Sequence, residues 1–569
     1  MKEKVFQVIR WAGTVLAFFN ALMFFAMRPC WSGISSTLGY RGGSNTFLYF
    51  LPVFICVLLF VELLADLILK KIFKKNWLQI MFLAISLVFF AAIMVIIALG
   101  AIDYMRFVWP KFWVAVGVLA VLIALYLLLF VYPKTVLKDN KWFKFGTIGV
   151  ASAVAVGLLV NFTVNWFVIK PVVYAVEDKY QIVFSTNAES TGWVEIGGKK
   201  YYDLYNGTAK TFTKIHKVEV PMSVLDEAKQ YTVHSQKTIY AGPFGGFLGR
   251  DISEKVSFRP VDSSDGIQYL SFSDVHMNDA RTFETASHAG NYDFLFLLGD
   301  IISDVETFDD ANFNNQVAYG ITKGQMPVVY ARGNHDVKGR YSQELHKFVG
   351  AKGERFYYNF YFKDVYGLVL DLGEDHDDDW WEYYGTANFE EYRQEQIAFL
   401  KDEIAKEDYE AYPYRVVASH IPIPFVNYRH NYENTKKEMT ALLNQMDFHM
   451  SVCGHQHQLM IFEPGLVTPE TSPLTYNSSY KKGTYNGYLT NFNFPTFMVS
   501  KPGLTFGDPT NLSGAKSHIG LYVNVDLAGN KETCHYLNSR GEKVDTMNMF
   551  FDKAYGQQIV IDLTTKKFA

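Results

Sequence analysis

The residues with the most chemical capacity are Asp274 and His276 in SFSDVH, Asp300 in LLGD, Asn334, His335 and Asp336 in ARGNHD, His420 in VASH, and His455 and His457 in CGHQH. Each group follows an apolar run of strand length: IQYLSF, FLFLLG, MPVVYA, YRVVAS or HMSVCG. Taken singly, these residues have ordinary explanations. Asp caps helices, Asn and Asp form turns, and a lone His is usually a hydrogen-bonded core residue. Together they place N and O donors at the ends of five separate strands. A mixed His, Asp and Asn set suits Zn, Mn or Fe, and excludes an all-oxygen calcium cage or a thiolate site. The expected chemistry is that of a transition-metal centre.

The elements that must position these donors follow from the rhythm of the chain. From about residue 266, apolar strands alternate with helical or irregular stretches, which predicts an α/β domain with a buried sheet whose strand ends carry function. In EEYRQEQIAFLKDEIAKE, the residues Phe389, Tyr392, Gln396, Leu400 and Ile404 fall near one helical face, with charge on the others. Before this domain, residues 176–260 read as short alternating strands, with Gly197-Gly198 as a two-residue hairpin turn. That pattern predicts a separate all-β sandwich of fibronectin type III size, a spacer or docking module.

The donor groups resemble the calcineurin-like metallophosphoesterase family, whose pattern is DxH, GD, GNH followed by an acid, a later His, and GHxH. Each element occurs in order: Asp274-Val-His276, Gly299-Asp300, Gly333-Asn334-His335-Asp336, His420, and Gly454-His455-Gln456-His457. The resemblance covers about residues 266–460. It implies one metal on Asp274, His276, Asp300 and His457, and a second on Asp300, Asn334, His420 and His455, with Asp300 bridging. It also implies that His335 faces the phosphoryl group, the natural place for an acid that protonates the departing alkoxide. Two divalent cations would outweigh the charges of Asp274 and Asp300, leaving positive charge for a hydroxide and a phosphoryl dianion. The cofactors expected are two divalent or transition-metal ions, Mn, Zn or Fe.

The chain also departs from this pattern. Purple acid phosphatases resemble it in carrying an N-terminal β-sandwich, but they place a Tyr ligand three residues after the bridging Asp, where this chain has Ser303. Serine/threonine phosphatases use an Asp at that position to orient the catalytic His, and here the nearest acid, Asp304, lies one residue later. Arg332 is a candidate phosphate contact. The run EDHDDDWWEYYG, residues 374–385, reads first as a solvated acidic loop. Its paired aromatics, Trp380-Trp381 and Tyr383-Tyr384, also raise the expectation that it overhangs the site and sorts substrates.

Upstream of residue 170 the chain changes character. Five apolar stretches, Trp11–Met27, Phe47–Leu69, Trp77–Ile102, Phe112–Tyr132 and Gly146–Ile169, are each near the roughly 20 residues needed to cross a bilayer. Lys and Arg concentrate in the first ten residues and in KKIFKK and KTVLKDNKWFK, whereas the alternate loops hold only Arg28, Arg41, Arg106 and Lys111. These patterns predict a five-helix transmembrane domain over 1–170, a sandwich over 176–260 and a metallophosphoesterase domain over 266–569. The localisation expected is the cell membrane, multi-pass, with the catalytic part outside the cytoplasm. Only Cys453 and Cys534 lie beyond residue 170, so no disulfide framework organises that part. A formal net charge of −4 gives no reason to expect nucleic-acid binding. The function expected is a phosphatase or phosphodiesterase acting on phosphorylated small-molecule, lipid-linked or cell-wall substrates, with the lipid bilayer as a further partner. The rival is a membrane receptor or scaffold that uses the phosphoesterase fold as a binding module.

Overall fold

The computed structural model describes residues 164–569 apart from 243–244, 428–432, 458, 469–473, 478–481, 486, 500–518 and 549–552, together with scattered residues between 12 and 157. Most of the five apolar stretches lies outside the described residues. Among those described, no helix is long and apolar enough to cross a membrane. The fold that is described is mostly β, built on two large sheets, which corrects the expected fold class in its five transmembrane helices and its separate sandwich. The physical reason is that hydropathy registers a segment's tendency to leave water and does not by itself specify a spanning helix.

The second correction concerns the sandwich. Strands β1 (Phe167–Val176), β2 (Lys179–Ile196), β3 (Lys199–Tyr202), β4 (Thr213–Pro221), β5 (Gln230–Gly242) and β6 (Gly245–Ser257) belong to the same sheet as β7 (Ile267–Phe272), β8 (Phe294–Leu297) and β9 (Pro327–Tyr330). The join is the parallel pairing of β1 with β9, Val173 against Pro327 and Tyr174 against Val328. Gly197 and Gly198 do form the turn between β2 and β3, both with positive φ, the conformation a tight hairpin requires. Alternation of apolar and polar residues located the segments of β2 to β5, but it divided β2, which is one strand, and missed β1, whose first residues fell in the fifth apolar stretch. It could not identify their partners, because β1 is buried on both faces and pairs across a long sequence interval.

A second, six-stranded sheet contains β10 (Tyr358–Phe362), β11 (Val365–Leu370), β12 (Tyr414–Ser419), β13 (Met450–Cys453), β14 (Met460–Phe462) and β15 (Thr496–Met498), in the order β10-β11-β12-β13-β15-β14. Three C-terminal strands, β16 (Ile519–Asp526), β17 (Lys531–Asn538) and β18 (Ile559–Asp562), complete the first sheet, whose order is β18-β17-β16-β7-β8-β9-β1-β2-β5-β6. The two sheets pack face to face over one apolar core, in which Phe294 and Phe296 of the first meet Phe360 and Phe362 of the second.

Helices cover the outer faces. α1 (Met222–Ala228) is short; α2 (Asp279–Ser287) and α3 (Phe308–Thr322) lie within the first half of the phosphoesterase segment. α3 starts at a Thr307–Asp310 capping box, satisfying two otherwise unpaired backbone donors. It also bonds to the N-terminal strands, Asn312 Nδ2 to Ser185 Oγ at 2.9 Å and Tyr174 Oη to Asn315 Oδ1 at 3.0 Å. α4 (Phe389–Lys406) and α5 (Glu433–Leu443) cover the second sheet, where Ile397, Leu400, Met439 and Leu443 pack on Leu368 and Leu370. The buried face of α4 includes Arg393 and Glu403, which helical periodicity had assigned to the charged outer faces.

Candidate metal centre

The parallel strands β7, β8 and β9 of one sheet and β12 and β13 of the other end at one place, so their following loops meet. Backbone hydrogen bonds interlace those loops. Asp274 N donates to Gly299 O at 3.1 Å, His276 N to Asp300 O at 3.0 Å, and Gly454 N to His420 O at 2.8 Å. The contacts are close because the motif glycines lack side chains. A Cβ on Gly333 would lie 2.2 Å from Asp300 Oδ1, and one on Gly454 would lie 1.8 Å from Ser273 Oγ. Asp274, His276, Asp300, His455 and His457 all have left-handed φ. Such conformations cost about 1–3 kcal/mol each for non-glycine residues and are retained where the surroundings enforce them.

All seven predicted donors come together in two groups that share Asp300. In the first, ligand atoms of Asp274, His276, Asp300 and His457 all lie within 4.8 Å of one another. His457 Nε2 is 3.0 Å from Asp274 Oδ1 and 3.0 Å from His276 Nε2. In the second, His420 Nε2 lies 3.3 Å from Asp300 Oδ2 and 3.2 Å from Asn334 Oδ1, and His455 Nδ1 is 3.1 Å from the same amide oxygen. His420 donates Nδ1–H to the Leu298 carbonyl at 2.6 Å, which leaves its Nε2 to face the site.

The electrostatics fit a cationic occupant. Burial works against charge throughout, yet the neighbouring imidazoles hold Asp274 and Asp300 below the usual carboxylate range. Burial likewise lowers His420, but the Asp300 and Asp274 carboxylates outweigh it and raise that imidazole to about 10. Burial, reinforced by His457 and His335, pushes His276 well below its ordinary value and keeps it neutral. Two buried carboxylates thus call for positive charge, which the protonated His420 supplies in the metal-free site and which a metal would supply once that proton is released.

Asp336 and His335 have other tasks. The buried Asp336 carboxylate accepts from Asp300 N at 3.1 Å, Gly333 N at 2.7 Å and Tyr330 Oη at 2.9 Å, tying the β8 and β9 loops together. Desolvation, with Asp300 nearby, raises it to about 6. His335 donates Nδ1–H to the Ser303 carbonyl at 2.6 Å, so a backbone group holds the ring, a role for which the sequence offers no acid at the family's position. Its Nε2 is 4.0 Å from Asp300 Oδ2, and its side chain, 34% exposed, opens to solvent beside the buried donors.

Arg332, a candidate phosphate contact, is half-buried and paired with Asp371 at 2.7 Å, its guanidinium lying over Phe356. The Asp371 carboxylate compensates the guanidinium charge, so the residue has a partner other than phosphate. The acidic stretch 374–385 does reach the donors. Asp375 Oδ2 is 3.0 Å from His455 Nε2, and Asn334 Nδ2 donates to Glu374 Oε2 at 3.4 Å. In the sequence alone, Glu374 and Asp375 read first as solvated acids. Their one legible signal was position, just beyond the buried run GLVLDLG at the same sheet edge as the other donors.

A family model described as calcineurin-like phosphoesterase matches residues 268–459. No curated protein matches the chain. Among solved structures, a purple acid phosphatase from yellow lupin (Lupinus luteus) seeds is 12% identical, covering 69% of this chain and 74% of its own, with a TM-score of 0.44. A dimetal phosphatase from Danio rerio is 12% identical over 50% of this chain and 98% of its own, with a TM-score of 0.33. GAP50, the anchor in the inner membrane complex of Plasmodium, is 12% identical over 50% and 89%, with a TM-score of 0.30. The matched segment contains every donor described above, and it is on this ground that residues 268–459 form a calcineurin-like metallophosphoesterase domain.

Proposed function

We propose that the protein is a phosphoesterase that hydrolyses phosphate esters at a dinuclear centre, one ion held by Asp274, His276, Asp300 and His457 and the other by Asp300, Asn334, His420 and His455. The observation that carries this reading is the convergence of two donor groups on one shared carboxylate, Asp300. Mn, Zn and Fe suit the donor set. Such a pair of cations supplies Lewis-acid polarisation of a phosphoryl oxygen and activation of a water. The chain's own residues do the rest. The buried carboxylates fix the donors and Asp336 holds two of their loops. His335, with Nδ1–H engaged by Ser303, has Nε2 available to deliver a proton to the leaving oxygen. The substrates proposed are phosphorylated small molecules, lipid-linked phosphates or cell-wall phosphoesters.

The test is turnover of a panel of phosphomonoesters and phosphodiesters by purified protein with added manganese, alongside elemental analysis. Wild type is expected to hold two ions and turn over at least one ester class, whereas Asp300→Asn loses at least one ion and the activity. Full metal loading without turnover of any ester would instead favour a binding module.

A further inference from the structure

We infer that the acidic segment 374–385 is part of the metal-binding apparatus, with Asp375 a positioning residue that sets the tautomer of His455. The inference rests on the dinuclear reading above and deepens it. His420 and His455 present opposite nitrogens to the second donor group. His420 offers Nε2, because its Nδ1–H is taken by the Leu298 carbonyl at the end of β8 in the other sheet. His455 offers Nδ1, 3.1 Å from Asn334 Oδ1, and its Nε2 points away from the donors. That outward nitrogen needs an acceptor to hold the proton there and leave a lone pair on Nδ1. Asp375 Oδ2, at 3.0 Å, is that acceptor, and an ionised carboxylate can only accept.

Glu374 acts in the same sense on Asn334. By accepting from Nδ2 at 3.4 Å it fixes which end of the amide faces His420 and His455. Its own position is secured from two sides. Lys338, two residues beyond Asp336, pairs with Glu374 at 3.1 Å and with Glu382 at 2.9 Å. Arg393 of α4 donates to the Glu374 carbonyl at 2.7 Å. The Glu374 side chain is fully buried and that of Asp375 is 16% exposed, which a merely solvating acidic loop would not require.

The experiment is Mn(II) titration of the metal-stripped full chain, followed by calorimetry and by electron paramagnetic resonance. Wild type is expected to bind two ions with an exchange-coupled pair signal. Asp375→Asn is nearly isosteric but can turn an N–H toward His455. It is expected to weaken one site about 10–100-fold, leave the other unchanged and convert the coupled signal to that of a single ion. Asp375→Glu should recover part of the loss, and the metal-free melting temperature of both variants should equal that of wild type. Two sites of unchanged affinity in Asp375→Asn would overturn the inference while leaving the dinuclear reading intact, and so would equal weakening of both sites with a lowered metal-free melting temperature. A wild type that binds fewer than two ions would overturn the dinuclear reading and this inference with it.

Discussion

His335 is the residue whose role can be separated from metal binding, because it sits among the donors without being one of the seven. If it protonates the leaving oxygen, its loss matters most when that oxygen belongs to an alkyl alcohol and least for nitrophenolate, which departs unaided. His335→Ala is expected to lower turnover of alkyl esters by about 10²–10⁴-fold, with a much smaller effect on nitrophenyl esters and both ions retained. Equal losses on both substrates would identify an electrostatic stabiliser instead. A second set of residues shows why connectivity alone does not make a catalyst. Ser190 Oγ lies 2.9 Å from His216 Nε2, and His216 Nδ1 lies 3.0 Å from Asp203 Oδ2, the linkage of a hydrolytic triad. Yet Ser190 and His216 are fully buried, and the imidazole fills the space a Cβ on Gly192 would occupy. The group is a polar strut between β2 and β4. Ser190→Ala should leave phosphoesterase turnover unchanged while lowering unfolding stability by about 1–3 kcal/mol, as measured in urea.

At the scale of elements, Glu532 of β17 exposes a cost carried by the joined sheets. Its carboxyl lies between them, within reach of Tyr414 of β12 and of Tyr269 of β7, the latter at 3.4 Å. Desolvation pushes it up to about 8. Below the ordinary Glu value both the folded and unfolded chains are protonated there, so the site contributes no pH dependence. As pH rises from about 4.5 to about 8 the unfolded chain ionises and the folded one does not, so folding loses about 1.4 kcal/mol per pH unit at this residue. Glu532→Gln removes the titration. Its melting temperature relative to wild type should therefore rise steadily between those pH values, as followed by thermal unfolding in a series of buffers. A difference that stays flat with pH would mean the carboxyl ionises within the core. The loops behave more rigidly. Gly333→Ala places a methyl group against Asp300, and the expected result is loss of metal as well as stability, read by elemental analysis and melting together.

For the whole molecule, the pairing of β1 with β9 makes the N-terminal strands part of the phosphoesterase core. Residues 165–569 form one compact unit. A chain beginning at residue 262 would leave β9 with an unpaired edge and uncover the core-facing residues of β1. It is expected to lack a cooperative melting transition and to precipitate, whereas a detachable spacer domain would leave the remainder folded and active. Circular dichroism and sedimentation of that shortened chain distinguish the two.

What the sequence determined by itself was chemical identity. The donor types and their placement after apolar runs point to a transition-metal centre, because coordination chemistry tolerates few substitutes and strand ends are where such donors gather, and their order resembles that of the metallophosphoesterases. It also fixed the Gly197-Gly198 turn, where local sterics suffice. The tertiary structure alone decided the partnerships. Glu374 and Asp375 look like any solvated acids until β11 carries them to His455 and Asn334, and Arg332 looks free to meet phosphate until Asp371 and Phe356 enclose it. The expected sandwich dissolved into a larger sheet for the same reason. Side-chain periodicity records which face of a strand is buried, and carries no information about which distant strand will accept its hydrogen bonds.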